Sequence, residues 1–224
     1  MKFFTYTIFP FLIFAFSACI EIIDDITIND DGSGTFKYTV NLSSSKVKIN
    51  SILALDSLDG KKVPSLSEIQ EKLHELSNSL RTKEGISNVD FHADYDNFIF
   101  KIKCDFTSLS LLQNAVEELA IKENKGVAIP ELKKEWLTFE NDSLVRSVPK
   151  ITLIKAKKIN KRDAELLKEG SYTSITRFQK VVDTFSNNSA KLSKNRKAVM
   201  VRTNPYLLIQ NPQLVDNVIY LEEE

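Results

Sequence analysis

The sequence predicts an α+β fold: an antiparallel sheet with two amphipathic helices on one face and a β-rich C-terminal part. Three observations carry that expectation. Stretches of two-residue alternation are bounded by Gly, Asn and Asp; two longer stretches place apolar residues at three- and four-residue spacing; and the composition is that of a globular chain. Of 224 residues, 42% are hydrophobic and 27% charged, with Lys+Arg 30 balanced by Asp+Glu 30. That balance excludes a solvated disordered chain and a bundle of membrane spans. It also gives no basic footprint, so no nucleic-acid partner is expected.

The first eighteen residues stand apart from the rest. Lys2 is followed by an apolar run from Thr7 to Phe16, broken only by Pro10, and then by Ser17 and Ala18 ahead of Cys19. This is the pattern of a cleaved secretory signal, and the run is shorter than the ~20 residues that cross a bilayer. Removing residues 1–18 takes away six of the 14 phenylalanines and leaves 29 basic and 30 acidic side chains.

The elements follow in order. Ile20 to Asn29 is rich in β-branched residues and runs into Asp30-Asp31-Gly32-Ser33-Gly34; Phe36, Tyr38, Val40 and Leu42 then alternate with polar residues. This predicts a hairpin whose two glycines take positive φ at the turn. Ser43 to Pro64 reads as a polar loop with a helical turn within Ile52 to Leu58. Beyond Pro64, Ser65 and Glu68 form a capping-box pair, and Leu66, Ile69, Leu73, Leu76 and Leu80 define a helix ended by Gly85. Ile86 to Tyr95 and Phe98 to Phe106 read as a second hairpin, with Cys104 on its apolar face as a core thiol. Ser108 to Asn124 is a second helix whose Glu117, Glu118, Lys122 and Glu123 are expected to be solvated.

Trp136 to Val148 reads as strand, turn, strand around Asn141-Asp142-Ser143. Ile151 to Ile154 is a further short element, and Lys161 to Lys168 a helical piece ended by Gly170. Tyr172 to Val182 and Ala198 to Thr203 are strands, Asn204-Pro205 opens a short helix, and Val218 to Leu221 is the last strand. From Thr35 to Phe139 the order is strand, helix, strand, strand, helix, strand, the split βαβ plan of a ferredoxin-like layer. The expected division is a signal over 1–18, an α+β domain over 19–168, and a β-rich extension or small lobe over 169–224.

An EF-hand alignment on Gly32 puts Thr27 first and Tyr38 last, so Asn29, Asp30 and Asp31 read as turn residues. His92 shares a strand face with Asp90 and Asp94, but His74 is the other histidine and belongs to a helix flank, so no metal is expected. There is no G-x-S-x-G elbow, phosphate-binding glycine loop or H-E-x-x-H helix, and no cofactor is expected. The run Lys150 to Arg162 reads as a solvated edge.

Phe16-Ser17-Ala18-Cys19 resembles the bacterial lipobox, with Phe16 where Leu is usual. The resemblance implies acylation of Cys19, a durable membrane anchor and no disulfide for Cys104. Ile20 in place of the Asp that retains many lipoproteins at the inner membrane implies the outer membrane. The hairpin Ile26-Thr27-Ile28-Asn29-Asp30-Asp31-Gly32-Ser33-Gly34-Thr35-Phe36, with Tyr172 to Phe178 and Asn211-Pro212, resembles uncharacterised lipoproteins of Bacteroidetes type and the opening of LppM-like lipoprotein domains. In that phylum Asp56-Ser57-Leu58 and Asp142-Ser143-Leu144 are similar to O-glycosylation acceptors. The family supplies no catalytic residues. The expectation is therefore a membrane-anchored bacterial envelope lipoprotein acting as a non-catalytic binding or interaction module for an envelope partner. A lipid-anchored hydrolase using carboxylates and a carrier of a small apolar ligand are the alternatives.

Overall fold

The computed structural model describes residues 20–123, 135–147, 164 and 167–223. Its first hairpin is β1 (Glu21–Ile28) and β2 (Gly34–Asn41), followed by a 3-10 turn (Ser43–Ser45), helix α1 (Lys46–Leu53) and a small hairpin of β3 (Ser57–Leu58) and β4 (Lys61–Lys62). Helix α2 (Leu66–Arg81), β5 (Ile86–Asp94), β6 (Ile99–Phe106) and helix α3 (Leu109–Glu123) come next, then β7 (Leu137–Glu140) and β8 (Ser143–Arg146). The C-terminal part holds β9 (Ser171–Phe178), β10 (Val182–Phe185), β11 (Lys191–Leu192), β12 (Ala198–Thr203), helix α4 (Pro205–Gln210) and β13 (Asn217–Leu221).

Two sheets organise these elements, as the α+β class requires. The larger has the order β11-β12-β9-β1-β2-β6-β5, and the smaller β10-β13-β8-β7. One face of the large sheet is buried: Asp24, Ile26 and Ile28 of β1 and Ser174, Thr176 and Phe178 of β9 point inward. Helices α2 and α3 lie against β5 and β6. Leu137, Leu144, Val182, Ile219 and Leu221 of the small sheet join Ile26, Ile28, Cys104, Phe106, Leu112 and Phe178 in one apolar cluster. Each buried Leu, Ile or Phe stabilises the fold by about 1.5 to 3 kcal/mol relative to exposure.

The split βαβ order is present in part. The neighbours β2-β6-β5 are as that plan requires, but the fourth place, beside β2, is taken by β1, while β7 lies in the small sheet. The sheet also departs from the all-antiparallel expectation, because β1 and β9 run parallel in register from Glu21↔Ser171 to Ile28↔Phe178. Sequence alternation gives the strand and its buried face but carries no sign of strand direction.

Several local expectations are corrected. Of the two glycines in the β1–β2 turn, only Gly32 takes positive φ, at +80°. Gly34 instead sits where a Cβ would strike the Thr27 carbonyl and the Phe106 ring, so it is required for close approach rather than for a left-handed turn. The stretch read as a polar loop contains α1, which starts at Lys46 rather than Ile52. Helix α2 begins with the Ser65–Glu68 capping box and ends at Thr82, so Gly85, with φ +70°, belongs to the turn into β5, against Leu111 and Thr107. The charges of α3 are not merely solvated: Glu118 pairs with Lys83, and Glu123 lies 2.8 Å from Lys72, so both reach across to α2 or its C-terminal end. The predicted elements at 151–154 and most of 161–168, and the lysine run from Lys150, lie outside the described residues.

Candidate functional site

Two regions concentrate chemistry, and the first is the end of the large sheet where β1 begins. Ile20 is already held there: its carbonyl accepts a hydrogen bond from Ser171 N at 2.7 Å. Cys19 and residues 1–18 lie outside the described residues. The register Glu21↔Asn41, Asn41↔Ile99, Asp94↔Ile99, Glu21↔Ser171 and Tyr172↔Thr203 fixes what surrounds that point. The chain leaving β2 forms the 3-10 turn and α1, the β5–β6 turn lies beside it, and the chain leaving β12 forms α4. Asn204 caps α4 by accepting from Tyr206 N at 2.8 Å and Leu207 N at 3.1 Å, and its amide donates to the Lys168 carbonyl. Lys168 lies 5.1 Å from the centre of the Tyr206 ring.

These helices are apolar yet weakly covered. No residue of α1 is buried, and in α4 only Pro205 is. Val47 is 75% exposed and Leu207 49%. A polar cleft of about 240 Å³, lined by Glu21, Asn41, Ser44, Glu169, Ser171 and Arg202, opens at the same end. Beside β4, a groove of about 450 Å³ runs between Lys62, Pro64 and the Ile69 and Leu73 side of α2.

The second region is a buried ionic cluster between the sheets. Arg146, the last residue of β8, reaches Asp24 on β1: Nη1 lies 3.0 Å from Oδ2 and Nη2 3.4 Å from Oδ1. Nη1 also donates to Ser174 Oγ at 2.6 Å, and Tyr172 OH donates to Asp24 Oδ2 at 2.9 Å. Arg146 is only 5% exposed, and its Nε has no protein hydrogen-bond partner. Burial and the adjacent Asp24 carboxylate push the Tyr172 phenol far above its ordinary value, and the same two causes raise Tyr38. Burial is the largest single influence on the Arg146 guanidinium and would lower it, but Asp24 and Tyr172 together outweigh it and the net shift is upward. The cluster is a charge-assisted clamp in which neutral phenol and serine hydroxyls complete the coordination of one ion pair.

The remaining sequence candidates fall elsewhere. Cys104 is 1% exposed, and burial, with a smaller contribution from Asp105, pushes its thiol up to about 11, the opposite of an activated nucleophile. His92 and Asp90 are exposed on β5 and Asp94 is half-buried; Asp94 is occupied by Asn97, which donates to it through both backbone and side chain. Among the described residues no group of three His, Cys, Asp or Glu side chains could hold a metal ion. Asp31 closes its own turn on Ser33. Asp142, in the second acceptor-like tripeptide, takes a salt bridge from Lys180 at 3.0 Å and shares positive φ with Asn141 in a two-residue hairpin turn.

The sequence reading passed over Asp24, Arg146 and Gln113. The one available signal for Asp24 was its place on the inward-facing parity of β1, where a charge demands a partner.

No family model matches the chain, and no curated protein matches it. Among solved structures it is similar to the NMR structure of the folded domain of Mycobacterium tuberculosis LppM. That likeness covers 93% of this chain and 92% of the other, at 12% sequence identity and a TM-score of 0.42. Among the described residues, no helix is long and apolar enough to cross a membrane.

Proposed function

We propose that the chain is an envelope lipoprotein of Bacteroidetes type, anchored in the outer membrane through acylated Cys19, whose body is a non-catalytic binding or interaction module for another envelope component. The observation that carries the reading is the join between anchor and frame: the lipobox Phe16-Ser17-Ala18-Cys19 ends one residue before Ile20, which is hydrogen-bonded to Ser171. A lipidated cysteine in that position tethers the sheet itself rather than a loose tail. Two or more acyl chains hold a protein on a bilayer durably, since each buried methylene contributes about 0.8 kcal/mol. The clamp of Asp24, Arg146 and Tyr172 is internally paired and buried, which suits a rigid frame better than a reaction centre.

Mass spectrometry of the N-terminal peptide from membrane fractions, combined with crosslinking in intact cells, tests both halves. The expected result is a diacylglyceryl-modified Cys19 and a partner recovered in near-equal amount, both lost in Cys19→Ala. An unmodified N-terminus overturns the anchor; recovery of the acylated protein alone overturns the interaction module.

A further inference from the structure

Six large hydrophobic side chains are exposed among the described residues: Val47, Leu55, Leu66, Val145, Leu207 and Tyr220. Two of them, Val47 and Leu207, lie on helices that leave one end of the large sheet. Val47 lies in α1 and Leu55 just after it, Leu66 opens α2, and Leu207 lies in α4. Helix α1 leaves β2 beside Glu21, and α4 leaves β12 beside Tyr172, so both emerge at the end of the sheet where Ile20 is pinned. Pro205, the first residue of α4, packs near Gly170, which itself lies against Ile20.

We infer that this end is a membrane-inserting surface, in which Val47 of α1 and Leu207 of α4 sink into the boundary between lipid headgroups and acyl chains. The inference rests on the proposed anchorage. One extended residue spans at most about 3.6 Å, so with Cys19 acylated and Ile20 held by Ser171, the sheet end cannot withdraw from the bilayer surface. What the chain leaves uncovered there then faces lipid. Apolar residues on short helices gain by entering that boundary about 5 to 10 Å deep. Lys46 and Lys48 alternate with Val47 in α1, and their stems can extend along the apolar surface while the ammonium groups stay at headgroup level. Of the acidic groups at this end, Glu21 accepts from Asn41 and Asp94 from Asn97, while Asp96 and Glu169 are exposed at headgroup level beside the lysines.

The test uses the full-length, acylated protein in vesicles of phosphatidylethanolamine and phosphatidylglycerol. An environment-sensitive fluorophore is placed at Val47→Cys, Leu207→Cys or, as a far-end control, Asp30→Cys in the β1–β2 turn; the native Cys104 is buried and does not compete. The expected result is a blue shift and loss of most emission to nitroxide-labelled lipid at 47 and 207, with Asp30→Cys unchanged. Water-like emission at 47 and 207 on a protein whose Cys19 is acylated overturns the inserted surface and leaves the anchor standing. Dry probes on a chain that mass spectrometry shows to be unacylated overturn the anchor while keeping the surface. A blue shift without lipid quenching means that a protein covers this end, and overturns insertion.

Discussion

Arg146 Nη1 lies 3.0 Å from Asp24 Oδ2, joining residues 122 positions apart and tying the two sheets through one buried ion pair. Removing one partner strands the other charge in the interior. Arg146→Met and Asp24→Asn are each expected to destabilise the protein by about 3 to 5 kcal/mol, measured by urea denaturation. The double variant Asp24→Leu with Arg146→Met is expected to recover most of that loss, because a buried pair costs nearly as much desolvation as its attraction returns. A double variant no more stable than the worse single would refute the pairing.

Alkaline titration should report the buried phenol and thiol. Cys104 keeps its proton in the folded state up to about 11, against an ordinary 9.0 in the unfolded chain. Between those values the folded state binds more protons, so stability is fully present below about pH 9 and falls as pH rises, by about 2 to 3 kcal/mol in total. Tyr172 adds a further decline above about pH 10, the ordinary phenol value, since its folded-state value is raised. Urea midpoints from pH 8 to 11 in wild type, Cys104→Ala and Tyr172→Phe separate the two slopes. A flat profile in the wild type would contradict both.

Gln113 does the work of a missing strand. From α3 it donates to the Leu137 carbonyl at 2.9 Å and accepts from Trp136 N at 2.7 Å and Leu137 N at 2.9 Å, closing the outer edge of β7. Gln113→Leu fills similar space and leaves these backbone groups unpaired in a buried setting. The expected cost is about 2 to 3 kcal/mol, with faster amide exchange at Trp136 and Leu137. Slow exchange at both sites in the variant would show another partner for the edge.

The two turn glycines should respond differently to the same substitution. At Gly34, Ala places a methyl on the Thr27 carbonyl and Phe106 ring, and the hairpin must open; a loss of about 3 kcal/mol or more is expected, as for severe overpacking. Gly32 has open space around it and φ +80°, so Gly32→Ala should cost about 1 kcal/mol of backbone strain, and Gly32→Asn less. Thermal denaturation of the three variants gives the ranking.

Local signals in the sequence were strong where one residue type has one physical use. Ser65 and Glu68 cap α2 as their spacing requires, Asn204-Pro205 opens α4, and Ala198 to Thr203 is β12 to the residue. The inward parity of Cys104 follows from the alternation of β6. Long-range features were silent. Nothing in Glu21 to Ile28 tells whether its neighbours run with it or against it, and the pairing of Asp24 with Arg146 depends on how two sheets stack. Helix α1 was missed for a different reason: Lys-Val-Lys-Ile-Asn-Ser-Ile-Leu has mixed spacing because its apolar residues do not face a core within this fold. Phe16-Ser17-Ala18-Cys19 is a contiguous four-residue pattern, whereas the clamp among Asp24, Arg146 and Tyr172 has no pattern at all.

The parallel pairing of β1 with β9 sets the order in which this fold can close. Strand β1 is central in the finished sheet, yet one of its two flanking strands begins at Ser171 and is itself flanked by β12. Until about the last quarter of the chain has emerged, β1 has an open side and Asp24 lacks Tyr172 and Ser174. Slow closure of such distant contacts is expected from their loop entropy. Strand β1 therefore gains its second neighbour late, and the large sheet locks only when β9 arrives beside it.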